Sequence, residues 1–207
     1  GPFSDNWKPS LGYLEQVLIG ILLGDGHLEK SSKGLGTQSR LRITFSEKYK
    51  ELSTHIADIF SDYMSPNGIR YSEEKSGVSS KLYGRISLTS KVSPLFHYYH
   101  NLFYVKFSDS GGCGALRTPN HLNCNSHKNI ENQKNKYIKE IPLNIEELLT
   151  LLAFFICGDG NYHKTKQIIR FFTNSYTKPE VELLSKVLLT KFNIESRLEH
   201  VLIINIL

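Results

Sequence analysis

The chain has 207 residues, of which 40% are hydrophobic, and a formal net charge of +5 at pH 7. This composition allows a real hydrophobic core, while the absence of a run of 18 apolar residues excludes a transmembrane helix and predicts no membrane partner. The positive charge suggests an anionic partner, with nucleic acid as the first candidate. The odd number of cysteines, 3, argues against a disulfide framework and favours a reducing compartment.

The first half of the chain predicts the order helix, strand, strand, helix, strand, strand, helix. The first helix is apolar over most of its circumference, which indicates burial on several sides. The second strand alternates strictly between apolar and cationic or polar side chains, the pattern of a half-buried strand. The predicted bounds are a helix over 11–24, strands near 27–29 and over 40–45, a helix over 46–64 capped by Ser46, a turn at 65–68, strands over 69–74 and 81–90, and a helix over 91–104.

The second half repeats part of this pattern after a polar stretch at 105–140, which predicts an irregular linker. A helix over 144–158, a strand over 166–175, a helix over 177–192 and a strand over 196–206 follow. Thr177 and Glu180 form a predicted capping box at the start of the last helix. The second half has fewer elements than the first, so we expect a final strand and helix to be missing. The predicted domains are 1–104, a linker over 105–140, and 141–207.

The most apolar helix of each half ends in Gly-Asp-Gly, at residues 24–26 and 158–160. An acid at a helix C-terminus opposes the helix dipole, at a cost of up to about 1 kcal/mol if nothing compensates it. If the two helices pack in parallel, they bring Asp25 and Asp159 together, and the combined charge requires protons or a divalent cation. Oxygen ligands favour Mg²⁺, which suits phosphodiester hydrolysis. The small residues that would permit close packing are Gly20, Gly24, Ala153 and Gly158.

Residues 18–26, LIGILLGDG, resemble the LAGLIDADG motif of homing endonucleases, and residues 152–160, LAFFICGDG, resemble a second copy. The resemblance implies an α+β fold of two pseudo-symmetric αββαββα units, here with the second unit truncated at its C-terminus. It implies saddle-shaped antiparallel sheets that lie in the DNA major groove, and motif helices that pack at a pseudo-twofold axis. Phe154 stands where the motif prefers glycine, which implies asymmetric helix packing at that position.

The resemblance also implies which residues carry the chemistry. The last acid of each motif binds the metal, here Asp25 and Asp159, assisted by the backbone carbonyls of Gly24 and Gly158. Lys139 matches a family lysine that orders the catalytic water network. Mg²⁺ is the expected cofactor, and Ca²⁺ or Mn²⁺ are ions that can occupy the same site.

Outward-facing side chains of the predicted strands are the candidates for DNA contact, because a β-ribbon fits the major groove. Arginine can read guanine through two hydrogen bonds, whereas lysine more often contacts phosphate. For each residue the alternative is a solvated surface charge. The candidates are Arg40, Arg42, Lys81, Tyr83, Arg85, Arg170 and Arg197, with Lys30, Lys33 and Gln38 beside the second strand.

Cysteine and histidine residues suggest three further sites, none of which we favour. A structural zinc site is the hypothesis for four side chains whose spacing fits no strong zinc pattern; they are Cys113, His121, Cys124 and His127. Cys157 is expected to be a core thiol. His97 and His100 are expected to be interface residues of a helix and not metal ligands.

The sequence therefore predicts a monomeric, Mg²⁺-dependent endonuclease of intron homing that cuts double-stranded DNA at a long asymmetric site. The alternative is an RNA maturase that assists group I intron splicing, with intron RNA as its partner. A DNA-binding regulator that descends from an endonuclease is a third hypothesis, ranked last because both acids are retained. The abundance of Asn, Lys, Ile and Tyr indicates an A+T-rich coding sequence, and with the family it favours a mitochondrial origin, with the chloroplast as the alternative.

Overall fold

The structure is a computed structural model that describes residues 12–31, 37–75, 81–106, 137–149, 152–199 and 201–205. The chain divides into two compact units, Gly1–His100 with Leu151–Gly158, and Asn101–Thr150 with Asp159–Leu207. We call them unit 1 and unit 2. The predicted domain bounds stay a prediction. Within the described ranges, no helix is long and apolar enough to cross a membrane.

Unit 1 has the predicted order of helices and strands. Its strands form one antiparallel sheet in the order β1-β2-β4-β3. The bounds are α1 (Tyr13–Leu23), β1 (His27–Lys30), β2 (Ser39–Ser46), α2 (Lys50–Ile59), β3 (Met64–Lys75), β4 (Leu82–Ser90) and α3 (Pro94–Phe103). The αββαββα prediction is confirmed for this part of the chain.

Two local predictions in unit 1 are wrong. The helix predicted over 46–64 is α2 alone, because 3₁₀ turns at Glu47–Tyr49 and Ser61–Tyr63 flank it, and the Ser46 side chain makes no capping hydrogen bond. The turn predicted at 65–68 lies inside β3, where the register shifts between Met64 and Ile69. Pro66 lacks the N–H that a regular ladder needs, which favours such an irregularity.

The core of unit 1 lies between α1, α2 and one face of the sheet. Every residue from Val17 to Leu23 in α1 is buried, so the prediction of a helix buried on several sides is confirmed. Cross-strand pairs place Leu28 opposite Leu41, and Ile43 opposite Leu88, on the inner face of the sheet. The other face of the same strands is polar, as the alternation in 40–45 predicts.

Unit 2 also contains a four-stranded antiparallel sheet, in the order β7-β8-β10-β9, the same connectivity as in unit 1. The expectation of a missing strand is therefore wrong. Two strands went unpredicted: β7 directly follows the second motif, and residues 196–206 form a hairpin where one strand was predicted. The bounds are β7 (Gly160–His163), β8 (Ile168–Phe171), α6 (Lys178–Phe192), β9 (Ser196–Leu198) and β10 (Leu202–Asn205). That a closing helix is missing stays a prediction.

The segment before the second motif differs from the single helix predicted over 144–158. It forms α4 (Ile145–Leu148) and α5 (Ala153–Asp159). Leu149 ends α4 in an extended conformation, with φ −83° and ψ 101°, which breaks the helical hydrogen-bond ladder. The predicted linker ends in two short paired strands, β5 (Tyr104–Lys106) and β6 (Tyr137–Lys139), and its interior lies outside the described residues.

The capping of α6 is confirmed. Thr177 and Glu180 form the predicted capping box, with the Thr177 backbone N–H donating to Glu180 Oε2 over 2.6 Å. At the other end Asn193 takes the left-handed conformation, with φ 53° and ψ 39°. The N–H of Ile194 then reaches back to the carbonyl of Leu188 over 3.0 Å.

Candidate metal centre and nucleic-acid interface

The two motif helices, α1 and residues 153–158 of α5, are in direct contact within unit 1. A methyl group on Gly20 would lie 2.8 Å from Phe154 Cβ and 2.9 Å from the Phe155 backbone nitrogen. One on Gly158 would lie 3.6 Å from Gly24 Cα. Glycine at position 20 therefore permits the predicted close approach, whereas position 158 has room for a methyl group. Ala153, the fourth small residue of the prediction, is exposed.

Phe154 makes this contact asymmetric, as the departure from the motif predicts. Gly20 and Phe154 occupy the same position in the two motif copies and touch each other. The Phe154 ring packs edge-on against Tyr13, with centroids 6.2 Å apart, and stacks on His55 at 6.4 Å. At this position the second motif copy thus contributes an aromatic side chain, and the first contributes only the backbone of a glycine.

The first Gly-Asp-Gly segment holds its acid outside the core. The N–H of Gly26 donates to the carbonyl of Ile21 over 3.0 Å, which folds the chain back over the last turn of α1. A Cβ on Gly26 would lie 2.2 Å from Ile21 Cγ2, so only glycine fits. Between the two glycines Asp25 is exposed, and in the described part of the chain no cationic side chain pairs with it.

This arrangement fits a hard divalent cation held by few protein ligands. Among the described residues no group of three or more His, Cys, Asp and Glu side chains could hold a metal ion. Mg²⁺ does not need such a group, since it is usually bound by one or two carboxylates together with waters and phosphate oxygens. A carboxylate at the negative end of a helix dipole, without a counter-ion among the described side chains, has the charge that such an ion neutralises.

Asp25 borders a pocket of about 270 Å³ in unit 1, which Lys48, Tyr49 and Cys157 also line. The prediction that Cys157 is a core thiol is wrong, because the residue is exposed. Ala153 and Cys157 are four residues apart and form one solvent-facing stripe of α5. Lys48 and Tyr49 lie in the 3₁₀ turn after β2 and not in the predicted helix over 46–64, and neither is among the predicted site residues.

The remaining predicted members of the metal centre are described only in part. Asp159 ends α5, and its side chain is outside the described structure. Lys139 ends β6, where it pairs with Tyr104 and is half-buried. Hydrogen bonds from Glu140 N to Phe103 O at 2.7 Å and from Ile141 N to Glu180 Oε1 at 2.8 Å fix the chain just after it. The metal and catalytic roles stay predictions.

The polar face of the unit 1 sheet carries four of the ten predicted DNA contacts, Arg40, Arg42, Tyr83 and Arg85. Cross-strand pairing aligns His27 with Arg42 and Thr89 in one row, and Thr44 with Ser87 and Arg70 in the next. These rows border a groove of about 670 Å³. Arg70 is an exposed residue of this face that the sequence analysis missed, although the alternation of Ile69 and Tyr71 around it was a usable signal.

Acidic residues pair with the predicted DNA-binding arginines. Glu29 accepts hydrogen bonds from Arg40 Nε and Arg42 Nη1, each over 3.0 Å. Burial raises the pKa of Glu29, but Arg40 and Arg42 outweigh that effect and hold the pKa below its ordinary value of 4.5.

A second carboxylate acts in the same way further along the face. Arg85 forms an ion pair with Glu74, and the Tyr83 hydroxyl donates to Glu74 Oε2 over 3.3 Å. The hydrogen bond from Arg85 holds the pKa of Glu74 below its ordinary value. Tyr83 and Arg85, predicted as independent contacts, are joined by Glu74 into one group.

The other predicted contacts are more scattered. Arg170 and Arg197 flank Ile203 on the sheet of unit 2, and Arg197 pairs with Glu199 over 3.0 Å. Lys30 is half-buried at the end of β1, while Gln38 and Lys81 are exposed next to strands. Lys33 lies outside the described residues, as do all four residues of the zinc hypothesis, Cys113, His121, Cys124 and His127.

The two histidines of α3 lie at an interface of that helix, as predicted. His97 Nδ1 lies 3.3 Å from Ser39 Oγ, and its ring stacks on that of His100 at 6.4 Å. Burial lowers the pKa of His97, and the positive charge of Lys30 lowers it further.

The fold and the two motif copies together define a LAGLIDADG protein. The profile of the LAGLIDADG DNA endonuclease family matches residues 15–111 and 118–202, which include both Gly-Asp-Gly segments. The chain belongs to this family.

The chain is similar to a maturase in sequence and to a homing endonuclease in structure. The cytochrome b mRNA maturase bI2 of Saccharomyces cerevisiae is 25% identical over 186 residues, which cover 87% of this chain and 37% of the relative. The chain thus spans little more than a third of the length of that relative. Among solved structures, the homing endonuclease I-WcaI bound to its DNA recognition sequence matches with a TM-score of 0.65 and 19% identity, over 99% of this chain and 82% of the other. This likeness shows a shared fold.

Proposed function

We propose that the protein is a site-specific, metal-dependent endonuclease that cuts both strands of a long, asymmetric DNA site. The observation that carries this proposal is the contact between the ends of the motif helices. A methyl group on Gly158 would lie 3.6 Å from Gly24 Cα, and each of these glycines directly precedes the aspartate of its motif. The exposure of Asp25, without a cationic partner among the described residues, supports a role as metal ligand over one as structural ion pair.

In this proposal Asp25 and Asp159 hold the metal ion, assisted by the backbone carbonyls of Gly24 and Gly158. Bound Mg²⁺ would supply Lewis acidity that activates water and stabilises the leaving oxygen of the phosphodiester. Lys139 orders the water that attacks the phosphorus, as an ammonium donor whose backbone is fixed by the pairing of β5 with β6. Ca²⁺ and Mn²⁺ compete for the same ligands.

The partner in this proposal is double-stranded DNA, bound by one copy of the chain. The polar face of each sheet lies in the major groove, where Arg40, Arg42 and Arg85 contact base edges or phosphates from unit 1, and Arg170 and Arg197 from unit 2. Family membership and the arginine-rich face of β2 support this assignment. Similarity to a maturase of cytochrome b mRNA supports a mitochondrial origin; a chloroplast origin is the alternative.

The test is cleavage of a random or A+T-rich genomic library of duplex DNA by the purified 207-residue chain. In Mg²⁺ we expect cut ends that share one long asymmetric consensus with short 3′ overhangs, and no such ends in EDTA. Binding of the library without cut ends in either Mg²⁺ or Mn²⁺ would contradict the endonuclease proposal.

The second candidate function is an RNA maturase, and the similarity to the cytochrome b mRNA maturase bI2 favours it. A splicing assay on group I introns from A+T-rich organellar genes separates the two functions. Stimulation of splicing that survives the double change Asp25→Asn and Asp159→Asn, in a protein that leaves DNA intact, would favour the maturase. Cleavage without stimulation would favour the endonuclease.

A further inference from the structure

We propose that Glu29 is a positioning residue that sets DNA sequence selectivity, by holding Arg40 and Arg42 as one fixed pair on the polar face of the unit 1 sheet. This inference rests on the proposed function, because the arginines need DNA to read. Glu29 itself is not expected to contact a base. It acts through the two guanidinium groups that it joins.

The geometry of the bridge is specific. Arg40 donates from Nε to Glu29 Oε2 over 3.0 Å, and its Nη2 lies 3.0 Å from the same oxygen as an ion pair. Arg42 donates from Nη1 to the other oxygen, Oε1, also over 3.0 Å. His27 Nε2 lies 3.5 Å from the same Oε1. Each carboxylate oxygen therefore serves one arginine, and the His27 ring lies beside the oxygen that Arg42 uses.

The backbone makes this bridge possible. Glu29 lies on β1 directly opposite Arg40, while Arg42 lies two residues further along β2 and opposite His27. Residues two apart on a strand point to the same face. A single glutamate on the edge strand can thus reach both arginines of its neighbour without any distortion of the sheet.

The paired arginines retain the means to read bases. A guanidinium has more N–H donors than Glu29 occupies, so each arginine keeps donors for a two-bond contact with guanine O6 and N7. Two residues along a strand span about 6.8 Å, which is close to two base-pair steps of about 3.4 Å each. Fixed by one carboxylate, the pair presents two donor sets from backbone positions about 6.8 Å apart.

The same carboxylate reduces indiscriminate binding. Two arginines next to Glu29 carry a net charge of one, against two without it, so their attraction to phosphates is weaker. An arginine that is already hydrogen-bonded must also break that bond to turn towards a phosphate. The expected effect of Glu29 is therefore lower affinity for random DNA and a larger preference for the correct sequence.

The experiment compares the wild-type chain with three variants by fluorescence anisotropy in EDTA, so that cleavage plays no part. The probes are a random-sequence duplex of about 30 base pairs and the best duplex that the wild-type protein selects from a random library. Glu29→Gln removes the charge and weakens the bridge. Glu29→Asp keeps the charge but is too short to hold both arginines. Glu51→Gln, on the exposed face of α2, is the matched control for charge.

For Glu29→Gln we expect about threefold to tenfold tighter binding to the random duplex. The log–log salt slope should steepen by about 0.9 for each additional phosphate that the freed arginines neutralise. The ratio of selected to random affinity should fall about tenfold. For Glu29→Asp the random affinity should stay near that of the wild type while the ratio falls. Glu51→Gln should change neither. Circular dichroism melting establishes that each variant is folded under the assay conditions.

An unchanged affinity ratio in folded Glu29→Gln and Glu29→Asp would overturn the inference and leave the proposed function intact. The same holds if Glu51→Gln tightens random binding as much as Glu29→Gln does, because the effect would then be net charge alone. Failure of the wild-type chain to bind either duplex would instead refute the DNA-binding function, and this inference with it.

Discussion

The change of Gly20 to alanine tests the packing of the two motif helices. The added methyl would lie 2.8 Å from Phe154 Cβ and 2.9 Å from the Phe155 backbone nitrogen, so α1 and α5 must move apart. Overpacking of this kind costs about 1–3 kcal/mol, and alanine returns up to about 1 kcal/mol through helix propensity. The overpacking cost should lie in the upper part of its range, because a backbone atom cannot move aside as the end of a side chain can. The net destabilisation should therefore be about 1–2 kcal/mol.

Gly158→Ala is the matched control on the partner helix. Its methyl would lie 3.6 Å from Gly24 Cα, an ordinary contact, so the propensity gain should leave it neutral or slightly stabilised. Thermal unfolding by circular dichroism should then place the melting temperature of Gly20→Ala about 4–8 °C below that of Gly158→Ala, which corresponds to about 2 kcal/mol for a chain of this size. Equal melting temperatures, or a higher one for Gly20→Ala, would refute the close helix contact.

Three further predictions concern stability. Thr177→Ala removes the capping box of α6 and should cost about 0.5–2 kcal/mol in urea denaturation; Thr165→Ala, at an exposed turn position, should cost almost nothing, and an equal loss would contradict the capping role. Asn193 has φ 53°, so Asn193→Ala should be less stable than Asn193→Gly by about 1 kcal/mol, which the same assay measures. The pKa of Glu29 is lowered from 4.5, so its ion pairs contribute stability above that pH and lose it as the pH falls through the folded value. The melting-temperature difference between the wild type and Glu29→Gln should therefore shrink from about pH 7 to about pH 3, and a constant difference would contradict the assignment.

The sequence predicts those features of the fold that depend on local periodicity and capping. The alternation in 40–45, the apolar α1 and the Thr177 capping box each determine a structure within one segment, and all three are confirmed. The strands that were missed are short elements that lack a full period. The strands β7, β9 and β10 have only three or four residues, too few for an alternation that distinguishes strand from loop.

For the candidate site too, local features could be predicted from the sequence, whereas features that depend on strand register could not. Glycines at the helix contact could be predicted because small residues at the ends of two apolar helices suggest close approach. The bridge from Glu29 to Arg40 and Arg42 could not, because it depends on the register of β1 against β2, which the sequence of either strand alone does not determine. The exposure of Cys157 was missed because the break before α5 changes which residues of the second motif helix face inward.

Cleavage by the single variants Asp25→Asn and Asp159→Asn is the most direct test of the central claim that the two motif acids together hold the catalytic metal. The substrate is a supercoiled plasmid with the selected site, assayed in Mg²⁺, and DNA binding is measured separately in EDTA. Asp58→Asn, at an exposed position of α2, is the control. We predict that each motif variant binds the site like the wild type but makes no double-strand breaks, while Asp58→Asn cuts normally. Wild-type cleavage by either motif variant would contradict the account.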